Sequence, residues 1–203
     1  MKKRIGLYFG TFNPVHVGHL IIANFMADFT DLDQVWLVVS PQNPLKQKST
    51  LLADHHRLEL VRIAVEDNDN LRASNIEFEL TKPSYTMNTL THLEEKHPDY
   101  TFSLIMGEDN LRTLHKWRNH EQILERHDIY VYPRVPTAEE QWEGVEVKRT
   151  EFHDHPKVHL IDGPVMKVSA SYIRKAIKDG KDVRYLLTNP VEKYVREMHF
   201  YES

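Results

Sequence analysis

The stretch Gly10-Thr11-Phe12-Asn13-Pro14-Val15-His16-Val17-Gly18-His19 joins an apolar run, Ile5-Gly6-Leu7-Tyr8-Phe9, to an amphipathic one, His16 to Phe29. A buried strand, a tight turn and a helix in that order form the first unit of an α/β sheet. Asn13 before Pro14 is biased to extended backbone, which suits an N-cap, and Pro14 suits the first helical position. The helix N-terminus would then point free N–H groups and positive dipole toward the carboxyl ends of the strands, where open α/β sheets bind ligands. His16 and His19 are three apart and share one helix face. Gly18 between them removes a side chain where a ligand must come close. Taken alone, the pair reads better as two helix-surface histidines, and a zinc site would need further ligands that the motif does not bring.

Composition narrows the field. The 203 residues are 40% apolar and 28% charged, enough for one compact domain with a core that needs no staples. With zero Cys, disulfides, thiolate zinc sites and cysteine nucleophiles are excluded. Lys and Arg number 26 against 30 Asp and Glu, net −4, which argues against a general nucleic-acid or membrane-surface binder. No apolar run approaches the roughly 20 residues of a membrane span. Met1-Lys2-Lys3-Arg4 is followed by apolar residues only to Phe9, so the start reads as a cytosolic N-terminus and the expected location is cytoplasmic. The seven glycines, at 6, 10, 18, 107, 144, 163 and 180, build neither GxGxxG nor GxxxxGK[ST] nor GxSxG. Phosphates, if bound, are held by another device.

Outward from the opening turn, apolar runs at Val35–Val39, Phe102–Met106, Ile129–Tyr132 and Val158–Ile161 read as further buried strands. Ile76–Leu80 alternates like a strand with one wetter face. Helical patterns fall at Asp54–Glu66, Thr86–Lys96 and His120–Arg126. Two more close the chain, Ser171–Asp179 stopped by Gly180, and Val191–Met198 after Asn189-Pro190. Strands apolar on both faces and alternating with helices predict a mostly parallel open sheet with helices on both faces. Residues 1–203 read as a single domain, with a small C-terminal helical subregion from about 170 packed on it. Thr137–His155 is polar, acid-rich and poorly periodic, and reads as a surface excursion.

The succession of strand, Gly-Thr-Phe turn, Pro and HxGH resembles the HxGH nucleotidyltransferase superfamily, whose members transfer a nucleotidyl group from a nucleoside triphosphate to a phosphorylated acceptor. A second signature of that superfamily, ISxxxxR, is matched by Val168-Ser169-Ala170-Ser171-Tyr172-Ile173-Arg174, with Val for Ile. Ser169 and Ser171 can cap a helix whose first turn carries Arg174. The middle of the chain is similar to bacterial nicotinate mononucleotide adenylyltransferases. Lys82-Pro83-Ser84-Tyr85-Thr86-Met87-Asn88-Thr89-Leu90 resembles their SYTxxTL tract, and Met106-Gly107-Glu108-Asp109-Asn110-Leu111 with Trp117 their GxDxLxxxxxW segment. Pro41 to Lys46 resembles their Pro-rich loop ending in Lys, and Tyr185 to Tyr201 their closing helix. Pantetheine-phosphate and glycerol-phosphate nucleotidyltransferases share HxGH but lack the middle tracts. Two departures stand out: Phe9 replaces the first Gly of the usual Gly-Gly-Thr-Phe-Asp-Pro, and Asn13 replaces its Asp.

The resemblance implies a Rossmann-like fold and transfer of the adenylyl group of ATP to nicotinate mononucleotide. It implies catalytic roles for His16, His19 and Arg174, and an ATP site of Gly10, Thr11, Phe12, His16, Gly18, His19, Lys46, Ser169, Ser171 and Arg174. It implies an acceptor site of Ser84, Tyr85, Thr86, Gly107, Asp109, Asn110 and Trp117. Trp117 offers a π face to an electron-poor pyridinium ring, and the turn at Ser84-Tyr85-Thr86 could give backbone N–H donors to a carboxylate. A phosphate neighbour would favour protonated imidazoles. Mg²⁺ is implied by ATP, with no protein metal motif. The expected partners are ATP and a pyridine mononucleotide, not nucleic acid or membrane, and oligomeric state is not legible.

Alternatives stay open. Nicotinamide mononucleotide differs from nicotinate mononucleotide by a carboxamide of nearly the same size, and a nucleotide-binding sensor could keep the fold without activity. Trp117 and Tyr85 could be core residues. His55-His56 beside Arg57 reads as a solvated helix start in preference to a phosphate contact. His153-Asp154-His155 alternates like strand-edge metal ligands, and His115 and His120 flank Trp117.

Overall fold

A computed structural model describes residues 2–41, 51–81, 84–133 and 149–202. Its centre is a six-stranded sheet built from β1 (Lys3–Gly10), β2 (Gln34–Val39), β3 (Leu71–Ser74), β4 (Tyr100–Gly107), β5 (Ile129–Tyr132) and β6 (Val158–Leu160). The strand order is β3-β2-β1-β4-β5-β6, and each neighbouring pair is parallel. This is a doubly wound, Rossmann-like arrangement whose order reverses between β1 and β4.

The strands read as continuous apolar runs because both faces are covered. On β2, Val35, Leu37 and Val39 join one buried cluster, and Trp36 and Val38 the other. On β4, Ile105 faces the first cluster, while Phe102, Leu104 and Met106 face the second. The first face is closed by α1 (Val17–Phe29), α2 (Asp54–Val65) and two C-terminal helices, α6 (Ala170–Lys178) and α7 (Asn189–Glu197). The second is closed by α3 (Thr86–Lys96), α4 (Glu108–Arg112) and α5 (His120–Arg126). Each fully buried Leu, Ile or Val contributes about 1.5–3 kcal/mol relative to exposure.

Several sequence expectations are corrected. Ile76–Leu80 is not a strand: Ile76–Phe78 forms a 3₁₀ turn, and the strand beside β2 is Leu71–Ser74, in register from Val35↔Leu71 to Val38↔Ser74. Ile76 and Glu77 are both buried, which a strand with one wet face would not allow; Glu77 accepts a hydrogen bond from Thr89 on α3. Asn13 does not cap α1, nor is Pro14 its first residue. The helix starts at Val17 with His16 at the N-cap in extended backbone, and the Asn13–Pro14 peptide is cis. Asn13 is committed elsewhere, its Oδ1 accepting from the Leu52 amide and the Tyr201 hydroxyl.

The closing helix covers only Asn189–Glu197, since Tyr185 before it and His199 and Tyr201 after it adopt positive φ. Of the polar excursion, 137–148 lies outside the described residues. The rest is not surface loop: Glu151–Asp154 is a 3₁₀ turn whose Phe152 is buried in the second-face cluster. His153 and His155 therefore do not lie on a strand edge. Among the described residues no group of three or more His, Cys, Asp or Glu is placed to hold a metal.

Candidate active site

At the reversal point the carboxyl ends of β1 and β4 lie side by side, with Tyr8 in register with Ile105. The turns leaving them part to opposite faces and open a crevice. A cleft of about 470 Å³ occupies it, and its walls include His16, His19, Asp109, Asn110, Ser169 and Arg174. Residues 16–19 and 169–174, about 150 positions apart in sequence, thus share one hollow, as the two signatures imply. Gly10, Thr11, Phe12, Gly18 and Ser171 line it as well.

The two imidazoles stack, ring centroids 3.7 Å apart and planes inclined by 25°. The His16 backbone N–H donates to His19 Nδ1 across 3.2 Å. In neutral His19 that bond puts the ring proton on Nε2, which is therefore a donor. His19 is walled by Phe12, edge-on at 5.0 Å, and by Tyr8 at 6.1 Å. His16 is 5% exposed, and its buried Nδ1 finds no hydrogen-bond partner among the described residues. Burial drives its pKa down to about 4, so it is neutral at pH 7 in the ligand-free protein. The protonated form expected of the imidazoles is the one a neighbouring phosphate would favour.

Gly18 has a more local role than ligand approach alone. A Cβ there would lie 3.1 Å from His16 Nδ1 and 3.2 Å from its Cε1, so the glycine gives the His16 ring its room. At Gly10 a Cβ would lie 2.8 Å from Cζ of Phe12, which folds back over the turn with φ 44°.

Arg174 reaches the cleft from α6. Ser169 is the N-cap of that helix, its hydroxyl accepting from the Tyr172 amide at 3.2 Å. Arg174 Nη1 donates to the Asn13 carbonyl at 2.7 Å and Nη2 to Ser171 Oγ at 3.2 Å; no carboxylate pairs with it among the described residues. Its charge therefore remains available to an anion.

The acceptor residues divide. Asp109 and Asn110, in the first turn of α4 just past Gly107, line the cleft. Trp117 borders a smaller adjoining hollow of about 90 Å³ that shares Gly10, Thr11 and Asn110 with the larger one; it also packs against the second-face core. Gly107, Ser84, Tyr85 and Thr86 line neither hollow. Tyr85 is instead the N-cap of α3, and Arg118 lies 5.0 Å over its ring. Lys46 falls outside the described residues. His115 and His120 line neither hollow, and His56 packs edge-on against Phe200 at 4.8 Å.

Sequence reasoning missed the residues that hold the turn. Arg57 on α2 is fully buried and donates to the carbonyls of Thr11 (2.7 Å), Ser40 (2.9 Å) and Leu52 (3.0 Å) and to Asp54 Oδ1 (2.6 Å). One planar guanidinium thus ties the β1 turn to the end of β2 and the start of α2. The signal was present: Arg57 interrupts an apolar stripe at 57, 61 and 64 on α2. Tyr8 and Tyr132 were also missed. Their hydroxyls meet at 3.3 Å in the cleft wall, and burial raises both phenols, keeping them protonated.

Comparison with known proteins adds to this geometry. The model of the cytidylyltransferase-like family matches residues 7–176. A probable nicotinate-nucleotide adenylyltransferase of Flavobacterium johnsoniae is 57% identical over 200 residues, covering 98% of this chain and 100% of that one. A protein of the same name from Christiangramia forsetii is 50% identical over 202 residues, with both chains fully covered. Among solved structures, the nicotinic acid mononucleotide adenylyltransferase of Plasmodium falciparum complexed with NaAD is similar in fold. It has a TM-score of 0.76 at 19% identity and covers 98% of each chain.

Proposed function

The chain belongs to the cytidylyltransferase-like family and, within it, to the nicotinate-nucleotide adenylyltransferases, and on that premise we propose that it transfers the adenylyl group of ATP to nicotinate mononucleotide. The products are nicotinate adenine dinucleotide and pyrophosphate, a step of NAD biosynthesis. The observation that carries the reading from the geometry is the single cleft, at the reversal of strand order, that holds His16, His19 and Arg174 together.

An oxygen of the acceptor's 5′-phosphate attacks the α-phosphorus, and the bond from that phosphorus to the β-phosphate oxygen breaks. Pyrophosphate leaves with the electron pair. The acceptor is its own nucleophile, so no enzyme-bound intermediate and no strong base is required. The obstacle is electrostatic, because two like charges 4 Å apart repel by about 4 kcal/mol at an effective dielectric of 20. Arg174 supplies permanent positive charge. His19 supplies a donor at Nε2 whose tautomer the His16 amide sets in advance. His16, held neutral by burial, becomes a stronger base once a phosphate neutralises the cost of its charge. Asn13 passes its carbonyl to Arg174 and so fixes the guanidinium beside the turn. Donors placed before reaction lower the barrier without reorganising during it.

In this reading ATP would bring Mg²⁺ with its triphosphate. Among the described residues Asp109 is the carboxylate that lines the cleft, and it would suit an ion that keeps most of its ligands from phosphate and water. The chemistry such an ion would supply there is neutralisation of triphosphate charge. Trp117 faces the pyridinium ring, and Asp109 and Asn110 take nucleotide hydroxyls or base edges. Lys46 belongs to the ATP site by family resemblance. A cytoplasmic setting completes the proposal; among the described residues no helix is long and apolar enough to cross a membrane.

The test is release of pyrophosphate from ATP and Mg²⁺ upon addition of nicotinate mononucleotide, with the dinucleotide identified by mass. Release that needs the acceptor supports the reading; its absence with pure, folded protein refutes it.

A further inference from the structure

We infer that His153, acting through the carboxylate of Glu108, positions the first turn of α4 and so holds Asp109 and Asn110 where the transfer needs them. The inference rests on the adenylyl-transfer reading and adds a positioning residue to it.

The His153 ring is buried in the 3₁₀ turn that precedes β6, and it lines neither hollow. Its two nitrogens do different things. Nδ1 accepts from the Thr150 backbone N–H across 3.0 Å. A backbone N–H only donates, so in the neutral ring the proton sits on Nε2. That buried Nε2 has no hydrogen-bond partner among the described residues, and Glu108 Oε1 lies 3.5 Å from it. The same oxygen lies 3.2 Å from Nη2 of Arg112, one turn further along α4. A single carboxylate oxygen is thus approached by an N–H from outside the helix and by a guanidinium from within it. Contacts of this length in ligand-free sites commonly tighten when substrate docks.

The short helix cannot set its own orientation. It spans five residues, Glu108–Arg112, too few to be stable alone, and its N-cap, Gly107, has no side chain to fix the entry angle. Leu111 docks it in the same buried cluster as Phe152 of the 3₁₀ turn. Apolar contact is non-directional, however, and leaves rotation about the helix axis soft. The cleft depends on that rotation. Successive helical residues point about 100° apart, so a polar contact that pins Glu108 also aims the two residues after it. Asp109 and Asn110 line the cleft, whereas Glu108 and Arg112 do not. Support therefore runs from the core through Phe152 and His153 to Glu108, and reaches the nucleotide only at Asp109 and Asn110.

Two substitutions separate the tasks of the two ring nitrogens. His153→Asn keeps an acceptor near the Nδ1 position for Thr150 but has no donor that reaches Glu108. His153→Gln places an amide N–H near the Nε2 position. The experiment measures kcat/KM for nicotinate mononucleotide at saturating ATP and Mg²⁺ in both, in Glu108→Ala and in the double variant His153→Asn/Glu108→Ala, with thermal unfolding of each. His153→Asn and Glu108→Ala should each lose roughly tenfold, as a displaced binding group does. Their Tm should fall by no more than about 4 °C. His153→Gln should recover to within about twofold of wild type, and the double variant should be no worse than either single one, because both break the same contact. If His153 served core packing alone, Gln would be as damaging as Asn and the two single losses would multiply; either result overturns the inference. Wild-type kcat/KM in folded Glu108→Ala overturns it too, even should His153→Asn fail to fold, and leaves the adenylyl-transfer reading standing. A wild type that releases no pyrophosphate on addition of the acceptor overturns that reading, and this inference with it.

Discussion

The hydroxyl of Tyr201, third residue from the end of the sequence, donates to Oδ1 of Asn13 across 2.9 Å, joining the C-terminal hook to the turn after the first strand. Tyr201 is mostly buried, and burial raises its phenol while the nearby guanidinium groups of Arg174 and Arg57 oppose that rise. The main-chain carbonyl of the same Asn13 receives Arg174. Two elements that meet late in the chain thus converge on one residue of the opening motif. Removing the hydroxyl alone, as Tyr201→Phe, should cost about 1 kcal/mol of stability. For a domain of this size that lowers Tm by roughly 2–4 °C. Thermal unfolding measures the first effect. Steady-state kinetics should show a several-fold drop in kcat as the turn loosens.

Arg57 makes a stronger demand. Its substitution by Met leaves the carbonyls of Thr11, Ser40 and Leu52 and the carboxylate of Asp54 without the donor that satisfies them. Breaking a buried charged network of this kind costs about 3–5 kcal/mol. Arg57→Lys should rescue little, because a single ammonium cannot span three carbonyls in a plane. Urea unfolding of both variants checks this. A loss under 1 kcal/mol for Arg57→Met would show that the turn is held by other means.

Gly18→Ala separates packing from activity. Alanine improves helix propensity by about 1 kcal/mol over glycine, so stability should stay within that margin. Its Cβ nevertheless meets the His16 ring at 3.1 Å and tilts it away from His19. The expected outcome is an unchanged or slightly higher Tm together with a kcat lowered by roughly tenfold, in line with a displaced donor.

Burial of His16 fixes a pH dependence. Its folded pKa, about 4, lies below the ordinary value of 6.5, so the unfolded chain binds a proton more readily in that interval. Stability is therefore fully present above pH 6.5 and declines as pH falls toward 4. His127, also lowered by burial, contributes in the same direction. Urea unfolding at pH 7 and pH 5 should show a smaller loss in His16→Gln than in wild type. Equal losses would mean that His16 is not held neutral.

Much of this arrangement is legible in the amino-acid order, and the parts that are not have physical causes. Val35–Val39 and Phe102–Met106 announce themselves because both their faces are buried, which removes any ambiguity of period. Leu71–Ser74 is short, with Arg72 exposed, and pairs with β2 only through tertiary register, so the more apolar residues 76–80 drew the assignment instead. The start of α1 was misplaced because Asn13-Pro14 has good local cap chemistry, whereas its partners, Leu52 and Tyr201, lie 39 and 188 positions away. His16, His19 and Arg174 could be chosen from their signatures, and their shared cleft follows from the strand order. Arg57 could not be chosen in the same way. A lone arginine in an apolar helix stripe tells that a buried charge must be satisfied, but not by which carbonyls.

The central claim is that the stacked imidazoles and Arg174 form a cleft that aligns two phosphates for in-line displacement. Its most direct test is the rate of dinucleotide formation by His19→Ala, purified and shown by thermal unfolding to be folded. Loss of one preorganised donor should lower kcat by about a hundredfold or more with nicotinate mononucleotide and ATP. Turnover near the wild-type rate in that folded variant would contradict the account.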